Sequence, residues 1–183
     1  KRAFYDIRKK LNIFANMSDR TQIIDSKGII QKLNRLAWQI YENNFHEKEI
    51  IIVGISGRGE VLATLLSEFL VDISSIKITL GRISLDKDNP YEFEIETNLK
   101  ESNFTNKVVI LVDDVLNSGK TLMYAAKYFL TTPLARLATV VLVDRTHNRF
   151  PIKADYVGLS LATALQEYVN VDLTKGEEGV YLS

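Results

Sequence analysis

Two neighbouring groups of residues near the middle of the sequence have the types needed to bind a sugar phosphate. Asp113 and Asp114 directly follow the apolar run 108–112, and the polar stretch 117–121 reads Asn-Ser-Gly-Lys-Thr. Two carboxylates suit a vicinal diol, because their oxygens accept hydroxyl hydrogens. Backbone N–H groups and hydroxyls at the start of a helix suit a phosphate dianion. A diol and a phosphate at this separation describe a ribose 5′-phosphate.

Two common phosphate-binding motifs do not fit the sequence. A Walker A loop needs a glycine five residues before Gly119, where this chain has Asp114. The second glycine-containing turn, 56–59, reads Ser-Gly-Arg-Gly, and a dinucleotide fingerprint would need a further glycine where Leu62 stands. The alternatives at this stage are structural: a turn with solvated carboxylates before a helix-capping loop, and a tight strand-to-helix turn that binds no ligand.

Continuous apolar runs predict the strands that position these groups. The runs span residues 50–55, 108–112 and 137–143, and each is apolar on both faces, which is typical of buried parallel strands. Helices are predicted from Asp25 or Ser26 to about Asn44, from Glu60 to about Leu70 and from after Thr121 to about Leu130. The polar groups follow the carboxyl ends of the strands, where open α/β sheets bind ligands. We therefore predict an α/β fold with a doubly wound parallel sheet, and both aspartates at a solvent-facing strand end.

The remaining segments are predicted as follows. Residues 1–20 form an extension of uncertain role, in which Ile7, Leu11 and Phe14 have the spacing of a short amphipathic helix, and residues 21–183 form one domain. Weaker strand patterns cover 76–83 and 91–96, with a polar loop between them. Strands near 155–159, 167–173 and 179–182 suggest that about 151–183 forms a small β-rich subdomain.

Composition and charge exclude several classes of protein. The chain has no cysteine and two histidines, which excludes disulfide frameworks and Cys-ligated zinc and makes a reducing cytoplasm the default location. No apolar stretch has the length of a membrane span. The 23 basic and 23 acidic residues balance, and residues 1–20 carry a net +4, so the remaining body carries −4. This distribution argues against a strongly basic nucleic-acid binder.

Two parts of the sequence resemble known families. Residues 109–121 resemble the signature of type I phosphoribosyltransferases, two acidic residues flanked by aliphatics and closed by a Thr/Ser-Gly-Lys/Arg-Thr loop. Residues 142–147 and 151–158 are similar to the pyrimidine-operon attenuator/uracil phosphoribosyltransferase family (PyrR), and the similarity runs from about residue 22 to the end. The resemblance implies the type I fold with a small hood, transfer of ribose 5-phosphate from phosphoribosyl pyrophosphate to a nucleobase, Mg²⁺ held mainly by that substrate, and a homodimer.

The resemblance also implies a role for each matching residue. Asp113 and Asp114 would be the catalytic pair that holds the ribose hydroxyls, and the 5′-phosphate would bind Asn117, Ser118, Gly119, Lys120 and Thr121. The pyrophosphate would meet Ser56, Gly57, Arg58 and Gly59, together with Arg82 and Lys87 of a mobile loop. The base would bind Asp144, Arg145, Asp155, Tyr156 and Val157. The family usually has a basic residue where Ser56 stands and Thr where Gly57 stands, so pyrophosphate contacts there are expected to be weaker.

The base and a role in RNA binding are less directly indicated. Hypoxanthine-guanine phosphoribosyltransferases also resemble this chain, but they carry Asp at the position of Asn117 and Lys at the position of Asp144. Both differences point away from 6-oxopurines, because Asn cannot accept a proton and Asp offers an acceptor. By analogy with the family that it resembles, the chain is expected to use uracil, as in pyrimidine salvage. The alternatives are another base, such as hypoxanthine or guanine, and a nucleotide-sensing RNA-binding regulator of pyrimidine genes with little or no catalysis. Asn148, Leu159 and Ser160 stand where attenuator proteins have Arg, Lys and Asn, so we expect no tight RNA binding.

Overall fold

The fold is known from a computed structural model that describes residues 20–183, apart from 93, 165, 175 and 177. The predicted short helix in residues 1–16 lies outside this range. In chain order the elements are β1 (Thr21–Asp25), α1 (Ser26–Asn44), β2 (Glu49–Ile55), α2 (Arg58–Ile73), β3 (Lys77–Ser84), β4 (Glu96–Thr97), α3 (Glu101–Phe104), β5 (Val108–Leu116), α4 (Lys120–Phe129), β6 (Arg136–Asp144), β7 (Tyr156–Ser160), β8 (Val169–Asp172) and β9 (Gly179–Leu182). Within the described residues, no helix is long and apolar enough to cross a membrane.

The central sheet has six strands in the order β4-β3-β2-β5-β6-β7. β4 pairs antiparallel with β3, and the other pairs are parallel. The three strands predicted from continuous apolar runs, β2, β5 and β6, occupy the middle of the sheet, where both faces are covered. This arrangement confirms the predicted α/β fold with a doubly wound parallel sheet.

Helices cover both faces of this sheet because successive strand residues point to opposite sides. On one face α1 and α2 pack against alternate strand residues, including Ile50, Ile52, Ile110, Val112 and Val140. On the other face α4 and Phe104 pack against the residues between them, including Ile51, Val53, Val109, Leu111 and Val141. The carboxyl ends of β2, β5 and β6 therefore lie side by side at one edge of the sheet, with helices above and below.

The second, smaller sheet has the order β1-β9-β8 and is antiparallel. Its strand β1 was not predicted, because four of its five residues are exposed and only Ile24 packs against the core. The expectation that a strand near 155–159 belongs to this small sheet is wrong, since β7 pairs parallel with β6 in the central sheet. An apolar strand pattern indicates burial but does not say which sheet buries the strand.

The predicted strand over 91–96 is also wrong. Residues 90–92 form a turn, and strand pairing with β3 is limited to Glu96 and Thr97. The Asp86 carboxylate accepts the N–H groups of Asp88 and Asn89 at 2.8 and 2.7 Å, which shapes the preceding loop as a compact turn. Alternation of polar and apolar side chains indicates which side chains are exposed. It does not show that a neighbouring strand is available for hydrogen bonding.

Candidate functional site

Asp113 and Asp114 lie inside the last part of β5, because this strand continues to Leu116 instead of ending at residue 112. They are 4% and 8% exposed, so the expectation of a solvent-facing pair is wrong. Asp113 faces a cavity at the start of α4, and Asp114 lies next to Arg58 at the start of α2. The Asp113 carboxylate also accepts the backbone N–H of Asp114 at 3.0 Å.

Burial changes the protonation of this pair. Burial and the negative charge of Asp114 together raise the pKa of Asp113 to about 7, although the positive charge of Lys87 acts in the opposite direction. The protonated form of Asp113 therefore persists to a higher pH than that of an ordinary aspartate. A protonated carboxyl can donate one hydrogen bond and still accept others, whereas an ionised carboxylate can only accept them.

A cavity of about 250 Å³ lies between Asp113 and the start of α4. It is lined by all five residues of the stretch 117–121, as well as by Lys87, Asp88, Asp113, Val115, Leu116, Leu122 and Arg149. The cavity thus brings together Asp113 and the loop 117–121, which the sequence predicts to bind phosphate. The α4 helix begins at Lys120, so its first N–H groups, which have no acceptor within the helix, lie in the cavity wall.

Gly119 gives this loop its shape. Its φ of 82° is in the left-handed region, and a methyl group on its Cα would lie 2.7 Å from Cγ2 of Ile152. The carbonyl of Ser118 accepts the N–H groups of Arg149 and Phe150 at 2.9 and 3.0 Å. These contacts hold the loop in place from the β6–β7 connection.

The turn 56–59 packs against the same strand end from the α2 side. Gly57 has a φ of 94°, and α2 begins at Arg58, two residues earlier than predicted. A methyl group at Gly59 would lie 2.7 Å from the carbonyl O of Val112, so only glycine permits this close approach. The Arg58 guanidinium lies 3.7 Å from the Asp114 carboxylate. The turn and the aspartate pair are therefore in direct contact.

The two cations predicted for the mobile loop have different positions. Lys87 lines the cavity together with Asp113. Arg82 lies within β3 and lines a neighbouring cavity of about 570 Å³, which it shares with Ser56. The structure therefore brings Lys87, but not Arg82 or Ser56, to the cavity that holds the phosphate loop.

The residues predicted to bind the base are divided between opposite edges of the sheet. Asp144 ends β6 and pairs in register with Leu116, so it lies beside the cavity. At the amino end of β7 lie Asp155, Tyr156 and Val157. The strand reaches the edge of the sheet at which Asp144 lies only at Ser160. The Asp155 carboxylate accepts the N–H of Thr139 at 2.8 Å, and Tyr156 is buried. These three residues are not brought to the cavity.

Arg145 has different contacts from those expected of a base-binding residue. It is 5% exposed, and its guanidinium donates to the hydroxyl of Thr163 and to the carbonyls of Ala164 and Glu167. These acceptors belong to the segment 161–167, which follows the carboxyl end of β7 and which the sequence reading missed. Ligands bind beyond the carboxyl ends of parallel strands, and this rule, if applied to β7, points to the segment 161–167.

Comparisons with known proteins agree with this geometry. Residues 19–173 match the family described as phosphoribosyl transferase domain. The chain belongs to the phosphoribosyltransferase family. Within it, the chain is 36% identical to the Bifunctional protein PyrR of Alkaliphilus metalliredigens, covering 86% of this chain and 90% of the relative. The PyrR proteins of Clostridioides difficile and Fusobacterium nucleatum are 32% and 31% identical, covering 90% and 87% of this chain and 98% and 96% of theirs. The resemblance to PyrR is thereby confirmed.

Solved structures have the same fold as this phosphoribosyltransferase. The hypoxanthine phosphoribosyltransferase of Trypanosoma cruzi superposes with a TM-score of 0.71 at 19% identity, covering 87% of this chain and 89% of that one. A hypoxanthine-guanine phosphoribosyltransferase of Bacillus anthracis gives 0.67 at 21% identity, covering 87% and 95%. The type I phosphoribosyltransferase fold predicted from the sequence is thus confirmed.

The aspartate pair of this phosphoribosyltransferase fits a magnesium ion. Over the part of the chain that the structure describes, no group of three or more His, Asp or Glu side chains is arranged to hold a metal ion. Mg²⁺ commonly binds through one or two carboxylates together with substrate phosphates, and Asp113 and Asp114 supply such oxygens. A cation beside them would relieve the repulsion that contributes to the raised pKa of Asp113.

Proposed function

We propose that this phosphoribosyltransferase transfers ribose 5-phosphate from phosphoribosyl pyrophosphate to uracil, forming UMP and pyrophosphate. The observation that carries this proposal is the shared cavity in which Asp113 faces the loop 117–121 at the start of α4. Carboxyl oxygens on one side and helix N–H groups on the other match the two ends of a ribose 5-phosphate.

The aspartate pair and the loop would bind the sugar phosphate. The 5′-phosphate accepts hydrogen bonds from the N–H groups of 117–121 and from the hydroxyls of Ser118 and Thr121. Asp113, whose raised pKa favours the protonated form, donates to one ribose hydroxyl oxygen or accepts a hydrogen from it, and Asp114 accepts from the neighbouring hydroxyl. Burial of both carboxyls strengthens these contacts, because water does not compete for them.

The same groups would lower the barrier of the reaction. A ring nitrogen of uracil forms a bond to C1′ while the bond from C1′ to the pyrophosphate oxygen breaks, and the N–H proton of uracil passes to solvent. The ribose ring gains positive charge as the leaving group departs. The carboxylate charge beside the ring stabilises that state more than the ground state, which is the requirement for catalysis.

The departing pyrophosphate would be held by the turn 56–59 and by Lys87. The open backbone of the turn at Gly57 and the N–H groups at the start of α2 suit an anion, and Arg58 adds a cation beside Asp114. Lys87, which lines the cavity together with Asp113, supplies a second positive charge. A Mg²⁺ ion bound by the substrate, with Asp113 and Asp114 as its protein ligands, would neutralise charge on the pyrophosphate.

Base selection would depend on Asp144 and Asn117. One carboxylate oxygen of Asp144 accepts the N–H of Thr146 at 2.8 Å, and the other can accept a ring N–H of uracil. Asn117 lines the cavity and cannot take up a proton from a purine nitrogen. The family resemblance to uracil phosphoribosyltransferases supports the same choice.

An assay with a panel of bases tests this proposal. Purified full-length protein is incubated with phosphoribosyl pyrophosphate, Mg²⁺ and uracil, hypoxanthine, guanine or adenine, and nucleotide is measured. We expect UMP from uracil and at least about a hundredfold lower kcat/KM with the purines, because a base that leaves the half-buried Asp144 acceptor unpaired is disfavoured. Equal or faster turnover of a purine would refute uracil as the substrate.

A second function, RNA binding, is implied by the resemblance to the attenuator family, to which the relatives called Bifunctional protein PyrR belong. The net charge of −4 on residues 21–183 opposes it, since RNA affinity depends on cations that displace counterions from phosphates. We expect weak binding, with no shift in a gel at 150 mM salt. A nucleotide-sensitive shift of pyrimidine-operon leader RNA would establish the second function.

The homodimer implied by the family resemblance is part of this proposal. Sedimentation equilibrium of the full chain, with and without phosphoribosyl pyrophosphate, tests it. A single species with the 20.8 kDa mass of one chain would contradict it.

A further inference from the structure

The segment 161–167 begins next to Asp144, where the base is proposed to bind, and we refer to it as the wall of that site. Residues 161–164 and 166–167 are in neither helix nor strand. The segment leaves β7 at the edge of the sheet where Asp144 lies, and the N–H of Leu161 donates to the carbonyl O of Asp144 at 2.8 Å. Irregular backbone needs hydrogen-bond partners from outside itself to hold one shape. The source of those partners therefore determines the shape of the wall.

Among the described residues outside the segment, Arg145 makes the largest number of hydrogen bonds to it, which is three. Its Nε donates to the Thr163 hydroxyl at 3.1 Å, and its Nη2 donates to the carbonyls of Ala164 and Glu167. All three acceptors are neutral oxygens on different residues of the segment. A planar guanidinium can reach several acceptors in fixed directions, whereas the ammonium of a lysine is a single point. With 5% of its surface exposed, the Arg145 side chain is buried under the segment that it holds.

The turn that carries Arg145 is itself held in a strained conformation. Thr146 has a φ of 57°, a rare conformation for a β-branched residue, and its N–H donates to the Asp144 carboxylate at 2.8 Å. The ring Nε2 of His147 lies 2.8 Å from the carbonyl O of Thr163. Strain of this kind persists only where surrounding contacts fix it, and it is concentrated at functional sites. The turn thus fixes the directions of both Asp144 and Arg145.

We propose that Arg145 is a positioning residue for the nucleobase, because it holds 161–167 as a preformed wall beside Asp144. This inference rests on the proposed function, since it takes the base to bind at Asp144. It assigns Arg145 no contact with the base. The cavity that faces the phosphate loop is built from β5, α4 and the loop at Lys87 and does not include the Arg145 side chain. Loss of that side chain is therefore expected to weaken the binding of the base and not that of phosphoribosyl pyrophosphate.

Steady-state kinetics of three variants test this role. Arg145→Met keeps the length of the side chain and removes the donors, and we expect the KM for uracil to rise about tenfold while the KM for phosphoribosyl pyrophosphate changes less than about twofold. Thr163→Val removes one acceptor without changing the shape, with an expected rise of about threefold. Arg136→Met is the matched control, since Arg136 begins the same strand at its other end and donates to the Tyr156 hydroxyl at 3.3 Å. It should leave both KM values unchanged.

The outcomes separate this inference from the proposed function. An unchanged uracil KM in Arg145→Met and Thr163→Val, or an equal rise in both KM values, overturns the positioning role. Absence of nucleotide from every base with the unmodified protein refutes the proposed function instead. Hydrogen exchange then decides on the positioning role separately. Faster exchange of 161–167 in Arg145→Met than in Arg136→Met supports it, and equal exchange overturns it. If Arg145→Met does not fold, Thr163→Val provides both readouts.

Discussion

The Nζ of Lys120 donates to the carbonyl O of Asp88 at 2.6 Å, which joins the phosphate loop to the segment that carries Lys87. Lys120 begins α4, and Asp88 belongs to the compact turn formed by the Asp86 carboxylate. This bond links α4 to the backbone next to Lys87, which lines the same cavity. Closure of a loop over a reacting centre excludes water and positions charged groups, so a bond of this kind affects turnover as well as binding.

We expect Lys120→Met to lower kcat/KM for phosphoribosyl pyrophosphate about tenfold or more, because it removes a charge-assisted hydrogen bond and a cation beside the phosphate. Hydrogen exchange of residues 85–90 should become faster in the same variant. Lys127→Met on the exposed side of the same helix is the control and should change neither quantity. Lys120→Met with unchanged exchange of 85–90 would show that the bond to Asp88 does not hold the loop.

Replacing both carboxyls of the pair should abolish turnover without unfolding the protein. Asn is isosteric with Asp, so Asp113→Asn with Asp114→Asn keeps the packing of the end of β5. The negative charge that stabilises the ribose transition state is lost, and we expect a fall in kcat of at least about a hundredfold. Circular dichroism and the melting temperature check the fold. Turnover within a few-fold of the unmodified protein would refute the assignment of the pair.

The raised pKa of Asp113 predicts a pH-dependent effect on stability. Its folded-state value of about 7 is above the ordinary value of 3.8, so ionisation of Asp113 destabilises the fold increasingly between pH 3.8 and about 7. Asp113→Asn removes that cost. The single variant should melt about 5 °C or more above the unmodified protein at pH 8, and the difference should disappear near pH 4. A pH-independent difference in melting temperature would contradict this origin.

The lowered pKa of Glu49, at the amino end of the sheet, predicts the opposite dependence of stability on pH. Hydrogen bonds from Lys107, Thr79 and Lys77 lower the pKa of Glu49 to about 2. Its contribution to stability is present above pH 4.5 and is lost as the pH falls towards 2. Glu49→Gln should therefore reduce the unfolding free energy at pH 7 by on the order of 1 kcal/mol, and by less at pH 3.

The exposed Glu47→Gln is the control for this measurement and should have no effect at either pH. Urea unfolding at the two pH values gives the free energies directly. An equal loss at pH 7 and pH 3 in Glu49→Gln would show that packing, and not ionisation, is the cause.

The sequence by itself determined the central strands β2, β5 and β6, the helices that follow β2 and β5, and the chemical character of the site. Continuous apolar runs indicate β2, β5 and β6 because both faces of an interior parallel strand are buried, and this property is local. A carboxylate pair and an anion-binding loop are likewise indicated by the residue types of 113–114 and 117–121, because residue type is also a local property. Their roles in binding phosphoribosyl pyrophosphate stay predictions that the variants above can test.

Tertiary structure alone decided which distant residues meet. The parallel pairing of β7 with β6 places Asp155 and Tyr156 at the far edge of the sheet, although they follow Asp144 closely in the chain. Burial of Asp113, and with it the raised pKa, depends on the packing of Gly59 and α2 against the end of β5. The contacts of Arg145 depend on a segment that begins sixteen residues later in the chain. Periodicity and residue type report the surroundings of each element, whereas strand direction and register determine the distances between elements.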